Sequence, residues 1–283
     1  VRRSLRTNRA ARLAKVDRTK LVQARLIGYS PRVIASDTQY SEFERTGVLH
    51  LPGFLSTDRT LWLEKQVDAL VSAREQAGSV WKFYDEEALS RGERILSRIE
   101  RFTPYCPALR ELLLDGPLPR LASTLLSESA LLFKDKINLK LPGSSGFLAH
   151  QDAQAGWTAY GHTHLTLMVS IDATTVENGC LEVSRGKRRR ELSGPEWDPL
   201  DTHALDEASF EPLKTAPGDV VAFDSYVVHR SAPNRTERAR RVLYATYNPQ
   251  SQGDCYERYF ADKHKNYPPD VERDANRTYR YRV

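Results

Sequence analysis

The stretch Leu132-Phe133-Lys134-Asp135-Lys136-Ile137-Asn138-Leu139-Lys140 alternates with a period of two. Lys134, Lys136, Asn138 and Lys140 share one parity, and Phe133, Asp135, Ile137 and Leu139 the other, which predicts a β-strand with a polar and a largely apolar face. Either the polar face meets solvent or it lines the inside of a barrel; the alternation is the same in both cases. His164 to Asp172 and Val220 to Phe223 read as buried strands. The second follows a turn signal, Pro217-Gly218-Asp219, and leads to a further strand carrying His229.

Helical signals cluster in the first half. Ser36-Asp37 predicts a capped helix through Glu44, ended by Gly47, and Thr57-Asp58 starts an amphipathic helix with Leu61, Val67, Leu70 and Val71 on one face. A third helical region, about 106–127, is interrupted by Gly116-Pro117. These helices are expected to buttress a small β-barrel. The polar stretch from Arg185 to about Leu213, with Gly186-Lys-Arg-Arg-Arg190, reads as an insertion, its basic run either a solvated turn or a contact for an anion. The fold class is therefore mainly β with flanking helices.

Candidate chemistry centres on His150, Gln151 and Asp152, followed by His229, Ser231 and Arg240. Two imidazoles and one carboxylate on one face of iron(II) leave positions open for a co-substrate and dioxygen. A strand over 147–152 points His150 and Asp152 to the same side, and the strand carrying His229, brought face to face with it, completes the set. An H-x-D triplet alone is weak evidence; Ser231, Asn234 and Arg240 downstream strengthen it. On a strand from about 239 to 248, Arg240 returns a guanidinium to the pocket, suited to a dicarboxylate, although Arg241 and Arg238 compete for that role. Trp157 either walls the pocket or caps the barrel. His162 and His164 are read as structural.

Taken together, H-Q-D, N-G-C-L-E-V at 178–183, P-G-D at 217–219, H-x-S-x-x-N and an arginine eleven residues after His229 resemble the phytanoyl-CoA dioxygenase family of iron(II)/2-oxoglutarate oxygenases. The likeness runs from about residue 40 to the C-terminus and includes the opening Phe43-Glu-Arg-Thr-Gly47-Val-Leu-His-Leu-Pro-Gly53-Phe54. It implies a double-stranded β-helix (jelly-roll, cupin-like) core, with Fe(II), 2-oxoglutarate and O2 as cofactor and co-substrates. It further implies that His150, Asp152 and His229 bind the metal, that Arg240 and Ser231 hold the distal carboxylate of 2-oxoglutarate, and that Asn138 and Lys134 line its pocket. Asp152 fills the place that related halogenases leave to chloride, so hydroxylation with release of succinate and CO2 is expected.

Lys136-Ile-Asn138-Leu-Lys140-Leu-Pro-Gly143 is similar to the branch that hydroxylates small aminoalkylphosphonates, and also to enzymes that tailor amino acids or natural products. The expected substrate is a small polar or anionic metabolite, with Trp157, Gln151 and Lys136 as candidate contacts. Two alternatives stand beside this reading: a catalytically silent jelly-roll sensor of 2-oxoglutarate or a metabolite, and a zinc hydrolase using the same three ligands.

Composition adds limits. At 283 residues and 40% hydrophobic, the chain accommodates one barrel domain over 31–283 behind a basic extension over 1–30. Residues 1–25 hold nine basic side chains against Asp17, so they carry +8 of a total of +5 and the rest of the chain is −3. The barrel portion thus gives no sign of nucleic-acid binding. No apolar run is long enough to span a membrane. Cys106, Cys180 and Cys255 are odd in number and lack metal-type spacing, which fits reduced thiols in the cytoplasm.

Overall fold

The computed structural model describes residues 34–85, 94–201 and 209–279; the basic N-terminal extension and His203 lie outside the described residues. Two antiparallel sheets make the core. Their strands are β1 (Val48–Leu51), β2 (Trp81–Asp85), β3 (Ile95–Glu100), β4 (Ala130–Lys140), β5 (Phe147–His150), β6 (Leu165–Ser170), β7 (Leu181–Ser184), β8 (Phe210–Leu213), β9 (Val220–Asp224), β10 (His229–Ser231) and β11 (Arg240–Pro249). The larger sheet runs β1-β9-β6-β11-β4-β3-β2 and the smaller β5-β10-β7-β8. This is the expected jelly roll.

Period-two alternation distributes the side chains between two cores. Met168, Val221, Phe223 and Val242 of the larger sheet meet Leu181, Val183 and Leu213 of the smaller. Their neighbours Leu167, Val169, Val220, Ala222, Leu243 and Ala245 face the opposite way, into the layer of helices. Strands β6 and β9 are therefore buried on both faces, which explains their continuous apolar sequence.

The helices are α1 (Asp37–Thr46), α2 (Thr57–Ser72), α3 (Pro107–Leu114), α4 (Pro117–Leu126) and α5 (Tyr256–Asn266). Ser36 and Gln39 form a capping box at the start of α1, and Gly47 ends it with φ +76°. Helix α2 buries Leu63, Val67 and Leu70, but Leu61 is 51% exposed, against the expectation that it belonged to the packed face. The reason is angular: Thr60, Leu63, Val67 and Leu70 follow the i, i+3, i+7, i+10 stripe, and Leu61 falls beside it. No helix among the described residues is long and apolar enough to cross a membrane.

Two sequence motifs prove to be joints. Asn234 donates to Lys140 O (2.9 Å) and Arg238 O (2.8 Å) and accepts from Thr236, closing the loop that carries the chain from β10 into β11. Gly179 packs so tightly that a Cβ there would lie 2.1 Å from Ala232 O, and its φ is +72°. Gly179→Ala is expected to cost ~2–5 kcal/mol, combining left-handed strain of roughly 1–2 kcal/mol with overpacking of roughly 1–3 kcal/mol. Urea unfolding measures it, and a loss below about 0.5 kcal/mol would show that the turn relaxes freely.

Candidate active site

Strand β10 lies between β5 and β7, and the register sets His229 opposite His150. The two imidazoles are thus neighbours within one sheet, 4.3 Å between ring centroids, rather than contributions from two facing strands as the sequence suggested. Asp152 also differs from expectation. Strand β5 ends at His150, and Asp152 opens a 3-10 turn, Asp152–Ala155, so the carboxylate reaches the histidines by a bend in the chain and not by strand alternation. Ligand atoms of His150, Asp152 and His229 nonetheless lie within 4.8 Å of one another, the sole such cluster among the described residues.

Backbone contacts orient each of the three. His150 Nδ1 pairs with Leu148 O at 2.7 Å and His229 Nδ1 with Val227 O at 2.9 Å, so both rings donate from Nδ1 and leave Nε2 for the site. Burial, reinforced by the facing His229, pushes His150 down to about 4, which keeps it neutral and able to coordinate. Burial alone would raise the Asp152 carboxyl, but His229, Lys136 and His150 hold it below the usual carboxylate range. Thr166 donates to Asp152 Oδ2 at 3.1 Å and shares a 3.0 Å hydrogen bond with Thr246, fixing the carboxylate plane. A threonine within an apolar strand carries no motif, so sequence reasoning missed Thr166.

The polar parity of β4 turns inward, which settles the choice between solvent and barrel interior. Lys134, Asn138 and Lys140 are all buried, at 6%, 7% and 3% exposure. Across β11 the register matches Arg240 to Lys140, Tyr244 to Lys136 and Thr246 to Lys134. Arg240 is 3% exposed and its Nε has no hydrogen-bond partner among the described residues. Asn138 Oδ1 is likewise buried and unpaired. Lys140 donates to Ser231 Oγ (2.8 Å) and Ala232 O (2.6 Å), and burial together with the nearby Arg240 lowers it to about 7. A buried donor left without an acceptor is costly, so the Arg240 Nε suits this corner to an anion, while the Asn138 oxygen, itself an acceptor, calls for a donor. Its rivals are committed elsewhere: Arg241 is consumed by Asp172, Glu64 and Asp68 on the outer face, and Arg238 is exposed.

Other candidates fare differently. Trp157 lines the cleft with Lys134, Lys136, Asn138, Tyr244 and Ser231. Gln151 does not reach it: fully buried, it donates to Tyr226 O (2.7 Å) and Glu191 O (3.1 Å) and accepts from Ser193 N (2.6 Å), stitching the 191–198 loop to the site. Every polar atom it offers is used, so the expected substrate contact is a structural one. The basic run after Gly186 receives no anion at Arg188, which is held by Asp224 and Glu44 over the Phe43 ring. His164 is buried against Phe133 and Trp157, and burial lowers it to about 4, as befits a structural residue.

A family model described as phytanoyl-CoA dioxygenase matches residues 43–242. The chain is 37% identical over 243 residues to a 2-aminoethylphosphonate dioxygenase from uncultured bacterium HF130_AEPn_1, covering 85% of this chain and 92% of that protein. It is 36% identical over 238 residues to a methylphosphonate hydroxylase from Gimesia maris, covering 82% and 88%. Its fold is similar to the crystal structure of EctD from S. alaskensis with 2-oxoglutarate and 5-hydroxyectoine, with a TM-score of 0.67 and 22% identity over 79% of each chain.

The structural role of Gln151 predicts a stability defect. Gln151→Ala strands the Ser193 N–H and the Tyr226 carbonyl in a dry interior, at a cost of ~1–3 kcal/mol per group. Chemical unfolding is expected to show a loss of about 2 kcal/mol or more, and a variant as stable as the parent would contradict the assignment.

Proposed function

The chain belongs to the phytanoyl-CoA dioxygenase family and is a non-haem iron(II)- and 2-oxoglutarate-dependent oxygenase, and we propose that it hydroxylates a small phosphonate-bearing metabolite. The observation that carries the co-substrate assignment is the buried Arg240 guanidinium with an unsatisfied Nε beside Ser231 and Lys140. A dicarboxylate supplies the missing acceptors and charge. Identity of 36–37% to two enzymes named for phosphonates supports the substrate class, as does the lysine-rich inner face.

In this reading His150, Asp152 and His229 hold the iron, and the donor set suits it: two neutral imidazole nitrogens and one carboxylate kept ionised, with the rest of the coordination sphere left to small molecules. Iron, when bound, supplies the oxidative chemistry by which O2 and 2-oxoglutarate yield succinate, CO2 and a hydroxylated product. The protein's part is positional. Leu148 O and Val227 O hold the rings, Thr166 holds Asp152, and Phe223, with its centroid 5.0 Å from that of His229, shields the site. Arg240 and Ser231 anchor the distal carboxylate while Lys140 adds a second cation behind them. The catalytic domain is taken as 31–283, and the free thiols of Cys106, Cys180 and Cys255 support a cytoplasmic location.

Anaerobic addition of Fe(II) and 2-oxoglutarate is expected to produce the weak visible charge-transfer band of a chelated keto acid, absent in His150→Ala. Arg240→Ala should weaken 2-oxoglutarate by roughly 10- to 150-fold, the loss of a charge-assisted contact worth about 1.5–3 kcal/mol. No band in the folded, iron-loaded parent would overturn the reading in favour of a sensor or a hydrolase.

The lowered Lys140 predicts a pH dependence. A carboxylate binds the protonated ammonium, so affinity for 2-oxoglutarate is full below about pH 7 and falls as pH rises through the lowered value. The slope approaches about tenfold per unit until the higher value of the occupied site is passed. Titrations between pH 6.5 and 9 are expected to show this fall in the parent and a flat profile in Lys140→Met.

A further inference from the structure

A second cavity of about 820 Å³ adjoins the cleft beside the three candidate ligands, the two sharing Lys134 and Ala155 as lining residues. Helix α5 and the residues after it form much of the outer wall, with Tyr259, Lys263 and Tyr267, while Trp197 and Tyr160 face them. Several cations gather at the floor between the cavities. Glu100, fully buried on β3, pairs with Arg98 (Nε to Oε1, 3.2 Å) and with Lys263 from α5, and it is the cross-strand neighbour of Lys136. Lys263, Lys134 and Arg98 all act on that one carboxylate, and Lys136 also faces Asp152. Among the described residues four cations thus gather around two carboxylates, one of which belongs to the candidate metal centre.

Two further observations point to a ligand at this place. Lys136 makes no hydrogen bond or ion pair among the described residues, and its ammonium lies 4.8 Å from the Tyr244 ring centroid. Trp157 is 2% exposed, its Nε1 has no acceptor, and Lys134 Nζ stands 5.4 Å from its ring centroid. Position separates this group of donors from the 2-oxoglutarate corner. Lys134 and Lys136 precede Lys140 on the same strand by six and four residues, about 20 and 13 Å at the strand rise. Lys134 and Lys136 therefore stand at the far end of the cleft from Arg240 and Lys140, where a separate subsite has room beside the co-substrate.

We propose that Lys134, Lys136 and Trp157 Nε1 form a receptor for a doubly charged tetrahedral oxyanion of the substrate, with the Arg98–Glu100–Lys263 network setting its charge. The proposal rests on the oxygenase reading above and deepens it by naming the residues that select a dianion over a monoanion. The phosphonate oxygens take the unpaired Lys136 and Trp157 Nε1 donors with Lys134 beside them, the carbon bonded to phosphorus is held on the Asp152 side of the metal site, and the larger cavity receives the organic remainder. Lys134 and Lys136 act as specificity residues, and Glu100 is a positioning residue that acts through them.

The test is equilibrium binding of methylphosphonate dianion and of its monoanionic monomethyl ester to anaerobic enzyme loaded with Fe(II) and 2-oxoglutarate. The parent is expected to bind the dianion at least tenfold more tightly than the ester. Lys134→Gln and Lys136→Gln should each weaken the dianion by about tenfold or more and the ester by no more than about threefold. Lys134→Arg should restore most of the loss. Titration of 2-oxoglutarate, followed by the charge-transfer band, should be unchanged in all three variants and doubles as the check that they fold. A parent that binds neither probe or does not prefer the dianion, variants that lose dianion and ester equally, or variants that lose 2-oxoglutarate instead would each overturn the receptor. Absence of the band in the parent would be the distinct failure of the oxygenase reading.

Discussion

Pairing of β10 with β5 is the constraint on which the rest of the site depends, because it sets His229 opposite His150 and leaves a third position to the chain just beyond β5. Adjacent strands stand less than ~5 Å apart, so two side chains on the same face of one sheet come within ligand distance without any help from the loops. The turn after His150 then needs only to bend Asp152 back toward them. Gln151 and Gln154 make that bend rigid by satisfying the backbone of the 191–198 loop, which is why an apparently chemical triplet contains a residue with no chemical duty.

The inward-facing polar side of β4 is the second determinant. A strand interior carrying three lysines is unfavourable unless anions compensate it, and Asp152 and Glu100 stand near Lys134 and Lys136 among the described residues. Burial, and after it the neighbouring cations Lys134 and Arg240, lowers Lys136 to about 8 and Lys140 to about 7. The cations are held in place by β-structure, and in the proposed reading the ligands bring compensating negative charge. The helical layer behind the opposite face, with Leu112, Leu113, Leu118, Leu121 and Phe102 all fully buried, supplies the apolar burial that keeps the strand in register.

Much of this was legible in the chain because it depends on local spacing. Alternation of period two gave β4, turn residues gave the start of β9, the cap signal Ser36-Asp37 gave α1, and the interval from His229 to Arg240 set the arginine on the next strand. The same locality explains the errors. His150 and Asp152 are two residues apart, and strand alternation accounts for that spacing as well as a strand followed by a 3-10 turn does, so a mistaken geometry still named residues that the fold brings together.

Sequence by itself determined the family, the ligand types and their order, since those reside in residue identity and interval. Tertiary structure decided which face of β4 is the inside, which of three neighbouring arginines is buried, that Gln151 is consumed by a loop some 40 residues away, and that Thr166 and Trp157 border the site. The physical reason is common to all four. Each depends on whether a polar group meets water, a partner or nothing, and that is fixed by segments distant in the chain which no local pattern encodes.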